Sequence, residues 1–390
     1  MLNFTFSNTT KMIFGKGVET QVGKEAAAWG KKVLLHYGGG HIVQSGLKDR
    51  VVESLEQAGL EIVEFGGAQP NPRLSLVQEG IALARKEQID LILAVGGGSA
   101  IDSAKAIAIG VPYDGDVWDF YAGKAKAEES VPVGVVLTIP AAGSESSSSS
   151  VVTNEDGWQK VGYGALVMRP KFALLNPELT YTLPAYQTAC GVADMMAHIM
   201  ERYFTLEADV GFGDHLCEGA MRSILQEAPK AISEPENYGA RANIMWAGTI
   251  AHNDILGVGR SEDWASHNIE HELSALYDIA HGAGLAIVFP AWMKYVYKQD
   301  LDRFVQFAVR VFGVEQDFHN PEHTILEGIR RLEDFFRRIG LPTTLAEAGI
   351  AADRLAEMAA KATHGDTITL GNFMPLGQRD VLAIYELCQG

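Results

Sequence analysis

Apolar residues in the first half of the chain fall in short runs separated by longer amphipathic stretches. Val33-Leu34-Leu35-His36, Leu60 to Phe65, Leu91-Ile92-Leu93-Ala94-Val95 and Val131 to Ile139 each read as buried strands. Between them, Leu47 to Gln57 and Leu74 to Glu87 carry apolar positions at helical spacing, the first closing at Ala58-Gly59. This alternation predicts a parallel sheet with helices on both faces. The opening stretch, Met1 to Lys16, mixes apolar and polar residues and reads as a strand or hairpin. Near Leu183-Pro184 the pattern changes to helical periodicity, with long stretches at Tyr186–Glu207 and Leu326–Ile339. The second of these stops at Gly340, with Pro342 beyond it, a helix-ending signature. The expected organisation is an α/β unit over 1–184 and an all-helical unit over 185–390.

Composition narrows the function classes. A chain of 390 residues with 47% hydrophobic and 21% charged content should form two domains, or one large one, and can bury a substantial core. A net charge of −17 argues against a nucleic-acid or anionic-membrane partner, since both need basic patches. Cys190, Cys217 and Cys388 are odd in number and form no CxxC pair, so a disulfide framework is not expected and a reducing cytoplasm is. No basic region followed by an apolar core opens the chain, and no apolar run approaches the ~20 residues that span a bilayer.

Glycines carry the candidate chemistry of the first half. Gly96-Gly97-Gly98-Ser99 follows a strand and opens a helix through Ala100 to Lys105. Glycines there let backbone N–H groups approach a pyrophosphate, and the helix N-terminus adds partial positive charge. The run is not GxGxxG, and a purely structural turn is the competing reading. Gly38-Gly39-Gly40 also follows a strand, and two such turns favour a nucleotide more than either alone. Thr138-Ile139-Pro140-Ala141-Ala142-Gly143-Ser144-Glu145, followed by Ser146 to Ser150, stands directly after a strand. That position favours a binding loop over a low-complexity linker. Parallel sheets bind ligands at the carboxyl ends of their strands, where all three clusters fall. A simple Rossmann reading takes Glu64 as the acid that grips a ribose hydroxyl, which predicts NAD.

The second half holds metal-ligand spacing. Asp194 and His198 are i and i+4, so on a helix both point the same way. His267, His271 and His281 follow in a His-rich stretch; His267 and His271 are themselves i and i+4, and spacing alone leaves either as the ligand. One carboxylate and three imidazoles suit Fe²⁺ or Zn²⁺ better than Mg²⁺ or Ca²⁺. A Lewis acid beside a nicotinamide predicts hydride transfer to or from a carbonyl carbon.

Taken together, the motifs resemble those of the iron-containing (group III) alcohol dehydrogenases, nearest to NADPH-dependent butanol dehydrogenases and aldehyde reductases. The resemblance runs through Ile13-Phe14-Gly15-Lys16-Gly17, Pro70-Asn71-Pro72, Gly96-Gly97-Gly98-Ser99 with Asp102 and Lys105, Gly143-Ser144-Glu145 and Asn176-Pro177. It continues through Asp194/His198 and His267-x3-His271-x9-His281-Gly282. It implies a Rossmann-like N-terminal domain, an all-α C-terminal domain (a dehydroquinate synthase-like architecture) and an active site in the cleft between them. It assigns a divalent metal to Asp194, His198, His267 and His281, with His271 as a proton relay or substrate-side residue. It implies that Gly96, Gly97, Gly98 and Ser99 hold a pyrophosphate, with Gly38, Gly39, Gly40, Asn71, Asp102, Thr138, Ser144 and Lys160 along the cofactor site. NAD-using relatives commonly carry an Asp where this chain has Gly39; its absence removes repulsion against a 2′-phosphate and favours NADP(H) over the Glu64 argument. The resemblance further implies short- to medium-chain aldehydes and primary alcohols as substrates, and a homodimer.

Two positions depart from the family pattern. Glu270 stands where a small residue is usual, so the pocket wall or its charge is expected to differ. Ala142 loses a hydroxyl near the cofactor. Two rival classes share the architecture or the ligands: a dehydroquinate-synthase-like lyase, and a non-catalytic NADPH- or metal-binding protein. The lyase needs a basic pocket for an acidic substrate, whereas Trp246, Trp264 and Phe204 point to an apolar one.

Overall fold

The computed structural model describes residues 1–390, and the chain divides into two compact units. One holds Ser7–Thr182; the other holds Leu183–Gly390 together with Met1–Phe6. The opening six residues therefore leave the α/β unit to which the sequence analysis assigned them. Long-range backbone contacts hold them there: the Met1 ammonium donates to Ala208 O (2.7 Å), and Leu2 N donates to Gly259 O (2.8 Å). Of the stretch Met1 to Lys16, expected as a strand or hairpin, Lys11–Phe14 forms a strand, β1, and no regular structure precedes it.

The α/β unit is built on six parallel strands. After β1 come β2 (Lys32–Tyr37), β3 (Glu61–Phe65), β4 (Leu91–Gly96), β5 (Val133–Leu137) and, later, β8 (Phe172–Leu175), in the spatial order β1-β8-β5-β4-β2-β3. Every residue of β4, β5 and β8 is buried, as expected for strands covered by helices on both faces. Helices Leu47–Gln57 and Leu74–Glu87 form over the residues whose apolar spacing predicts them. The Val131–Ile139 run pairs only over Val133–Leu137. At its ends Val131 N turns to Ala108 O, Pro132 has no N–H, and Thr138 N crosses to Gly96 O.

The serine run does not remain a loop throughout. Ser149 and Ser150 open β6 (Ser149–Asn154), which pairs antiparallel with β7 (Gln159–Gly164), a hairpin without clear apolar alternation in the sequence.

From Leu183 onward the regular elements are helices, apart from an isolated bridge between Leu370 and Leu376. The helix His281–Val296 is buried along nearly its whole length and forms the middle of this core. The helix Ala185–Tyr203 stops short of the expected Glu207, because Phe204 takes extended backbone angles. That turn drops the Phe204 ring into an aromatic cluster with Phe304 (centroids 4.5 Å apart) and Trp292 (5.5 Å). Phe204 is thus core, and Trp246 is nearly half exposed on the helix Tyr238–Ala251; neither serves as the substrate wall expected of it. No helix is long and apolar enough to cross a membrane.

Candidate metal centre and dinucleotide loops

In the helical unit, three elements bring the titratable residues together. Asp194, His198 and Glu201 lie one above another on the helix Ala185–Tyr203, at i, i+4 and i+7. His267, Glu270 and His271 share the helix Ala265–Tyr277, and His281 is the first residue of His281–Val296. The glycine after it explains how closely these helices meet: a Cβ at Gly282 would fall 1.9 Å from Cys190 O on the Ala185–Tyr203 helix.

Asp194 Oδ1 lies 3.3 Å from His198 Nε2, 3.8 Å from His281 Nε2 and 4.0 Å from His267 Nε2. Ligands of a tetrahedral ion with ~2.1 Å bonds stand roughly 3.4 Å apart, so these separations suit one small divalent ion. Ligand atoms of Asp194, His267 and His281 all lie within 4.8 Å of one another, and spacing could not choose between His267 and His271; here His267 joins that trio. His271 instead groups with Glu270 and His281. His198 meets the centre through Asp194 and stands outside the trio, its ring packed on His252 (centroids 4.3 Å) and against Trp264 (5.4 Å).

Asp194 Oδ1 and His267 Nε2 are buried without a hydrogen-bond partner. Each such atom costs on the order of 1–3 kcal/mol, and a carboxylate and an imidazole left this way would be satisfied together by a cation. Burial, then electrostatic interaction with His267, Arg202 and His281, hold His198 well below the usual histidine range, so it stays neutral, as a ligand must be.

Both remaining imidazole faces are fixed by carboxylates. Glu201 Oε1 accepts from His267 Nδ1 (2.7 Å), Ser266 Oγ (2.8 Å) and His267 N (3.2 Å), while its Oε2 accepts from Trp264 N (2.8 Å). Glu270 Oε2 binds His281 Nδ1, and its Oε1 accepts from Ser274 Oγ. Glu270 is therefore buried behind His281, on the side of the ring away from Asp194. Sequence reasoning missed Glu201; its position seven residues after Asp194 was the available signal.

In the α/β unit, Gly38–Gly40, Gly96–Ser99 and the loop from Thr138 to Ser144 follow β2, β4 and β5, which are neighbours in the sheet. The three clusters thus share one edge. Gly97 is required by packing, since its Cβ would meet Ile139 Cβ at 2.8 Å, and Gly96 by Ala100 at 2.7 Å. Gly98 and Gly39 are different: a Cβ at either would touch nothing within 4 Å. Packing does not demand glycine there, and the open backbone would leave room for a close-lying pyrophosphate or ribose.

Asp102 and Ser144 hold the loop together. Ser144 Oγ donates to Asp102 Oδ1 (2.5 Å), and Val151 N donates to Asp102 Oδ2 (2.9 Å). The fully buried Lys105 Nζ donates to Ser144 Oγ (3.0 Å), Ser147 O (3.0 Å), Ser147 Oγ (3.1 Å) and Ser149 O (2.8 Å). Asn71 is buried with φ 53°, and Thr153 links its turn to Lys160: Thr153 N donates to Pro72 O (2.7 Å), and Thr153 is the register partner of Lys160. Glu64 is held below the usual carboxylate range by Lys48 (2.8 Å) and then Tyr37 OH (2.9 Å).

Comparison with known proteins agrees over the whole chain. Residues 9–177 match the family described as iron-containing alcohol dehydrogenase, and residues 188–388 match the C-terminal part of the Fe-containing alcohol dehydrogenase family. A probable NADH-dependent butanol dehydrogenase 1 of Bacillus subtilis is 45% identical over 99% of both chains. The NADPH-dependent aldehyde reductase YqhD of Escherichia coli is 36% identical over 94% of this chain and 95% of its own. The crystal structure of NADH-dependent butanol dehydrogenase A from Thermotoga maritima superposes with a TM-score of 0.97 at 42% identity, covering 100% of this chain and 99% of that one. With its Rossmann-like sheet, its all-α second unit and the Asp194–His267–His281 trio, the chain belongs to the iron-containing alcohol dehydrogenase family.

Proposed function

We propose that this alcohol dehydrogenase interconverts short- to medium-chain aldehydes and primary alcohols, such as butanal and butanol, with NADP(H) and one Fe²⁺ or Zn²⁺ ion. The alcohol dehydrogenase class follows from the family. The single observation that carries the metal is the convergence of Asp194 Oδ1, His267 Nε2 and His281 Nε2, two of them buried without partners. When bound, the ion supplies Lewis acidity at the substrate oxygen, and the nicotinamide gives or takes the hydride.

The chain's residues do the remaining work. Asp194, His198, His267 and His281 would hold the ion, with Glu201 and Glu270 keeping two imidazoles turned toward it. His271, whose ring centroid lies 5.6 Å from that of His281, is the titratable side chain this reading assigns to proton delivery. Gly98 leaves its backbone open to the pyrophosphate. NADPH over NADH is supported by Gly39, which presents no carboxylate, and by Glu64, whose charge is already answered by Lys48. The names of the relatives divide on this point. The same reading takes the protein as a homodimer, its exposed Met1, Leu2, Phe4 and Phe6 being apolar surface for a second copy; light scattering should give twice the 42.2 kDa chain mass.

The test follows NADPH and NADH absorbance with butanal, using metal-stripped protein reloaded with Fe²⁺, Zn²⁺ or nothing. Metal-dependent decay that favours NADPH is expected. Decay favouring NADH refutes the cofactor assignment alone, and no decay under any loading turns the reading toward a lyase or a binding protein.

A further inference from the structure

Glu270 is fully buried, and its carboxylate meets two side chains of the centre's own helices. Its Oε2 takes the Nδ1 of His281, and its Oε1 takes the hydroxyl of Ser274, one turn further along the same helix. The room it occupies exists because residue 284 has no side chain. A Cβ at Gly284 would stand 2.3 Å from Glu270 Oε1, 2.7 Å from Cγ and 2.9 Å from Cδ. Gly284 has ordinary helical backbone with no positive φ, so conformation does not demand glycine there. The carboxylate does.

An imidazole carries its proton on the nitrogen whose hydrogen bond requires it. An ionised carboxylate only accepts, so His281 Nδ1 must donate, and the lone pair of Nε2 then faces Asp194 Oδ1 at 3.8 Å. We propose that Glu270 is a positioning residue that fixes the tautomer and ring plane of His281 for the metal, and that Gly284 is the seat made for it. The proposal rests on the metal reading above. Glu201 acts on His267 in the same way, but two backbone N–H groups anchor it. Glu270 meets the Ser274 hydroxyl and sits in the space left at Gly284, so substitution at 270 or 284 acts directly on the His281 side of the centre.

The experiment titrates Zn²⁺ into metal-stripped protein against a chromophoric chelator, with Co²⁺ absorption as a second readout and far-ultraviolet circular dichroism to follow the fold. Wild type is compared with Glu270→Gln, which keeps the shape and a neutral acceptor, Glu270→Leu, which removes the acceptor, and Gly284→Ala, which crowds the carboxylate without touching a ligand. Wild type is expected to bind one ion. Glu270→Leu and Gly284→Ala should bind it about 10–100-fold more weakly, Glu270→Gln less so, with shifted Co²⁺ bands and unchanged dichroism. Wild-type affinity in Glu270→Leu overturns the proposal. Should that variant not fold, wild-type affinity in both Glu270→Gln and Gly284→Ala overturns it equally. A wild-type protein that binds no ion overturns the metal reading itself, a result distinct from either of these.

Discussion

Replacing Gly282 by alanine tests whether close helix packing is what delivers His281 to the centre. The added Cβ would fall 1.9 Å from Cys190 O, 2.6 Å from its carbonyl carbon and 2.9 Å from its Cα. All three are backbone atoms of the Ala185–Tyr203 helix and cannot rotate away. An ordinary contact is about 3.5 Å, so the two helices must part by about 1.5 Å where His281 meets Asp194. Metal sites tolerate ligand displacements of roughly 0.2 Å, several times less than this. Overpacking of this kind costs about 1–3 kcal/mol. The informative control is Gly328→Ala, whose Cβ would meet Ala308 Cβ at 2.5 Å between the helices Leu301–Phe312 and Pro321–Arg338, which carry none of the candidate ligands. Both variants should melt below wild type in the metal-free state, by roughly 2–4 °C per kcal/mol. Only Gly282→Ala should also lose Zn²⁺ affinity in chelator competition, by tenfold or more. Equal metal affinity in the two variants would refute the reasoning, because the gap between helices would then not govern the site.

Gly39 has φ −85° and open space, so Gly39→Asp should fold normally; its carboxylate should lower kcat/KM for NADPH about tenfold or more relative to NADH, and an unchanged ratio would count against Gly39 as the selecting position. Lys105→Met leaves Ser147 O and Ser149 O without their buried donor, and should lower stability to urea by about 2–5 kcal/mol and weaken nucleotide binding seen by NADPH fluorescence. His36, bonded to Phe65 O (2.8 Å) and Ser103 Oγ (2.7 Å), is held down to about 4 by burial, which outweighs the Phe65 bond. Its unfolded value is about 6.5, so the unfolded chain takes up the proton first as pH falls. Its contribution is complete above pH ~6.5 and declines by about 1.4 kcal/mol per pH unit down to pH ~4. Urea midpoints across that range should flatten in His36→Gln; equal slopes would show that other groups govern the acid limb.

Local patterns determined much of this protein without tertiary information. The helices Leu47–Gln57 and Leu74–Glu87 and strands β2 to β4 are legible because burial on one or both faces imposes a period the sequence must carry. The change to helical periodicity near residue 184 is legible for the same reason, and the chain divides after Thr182. The ordered motifs were enough to identify the family. What lay beyond the sequence was set by contacts between distant segments. Spacing left His267 and His271 equivalent, because both face the same way on one helix; only the approach of Asp194 and His281 separates them. Glu270 looked like a change in the pocket wall, since nothing in the sequence announces that Gly284 opens a space for it or that His281 turns back to meet it. The departure of Met1–Phe6 to the helical unit likewise depends on Ala208 and Gly259, two carbonyl partners more than 200 residues away. Periodicity reports which face of an element is buried, and only the packed structure decides what each face meets.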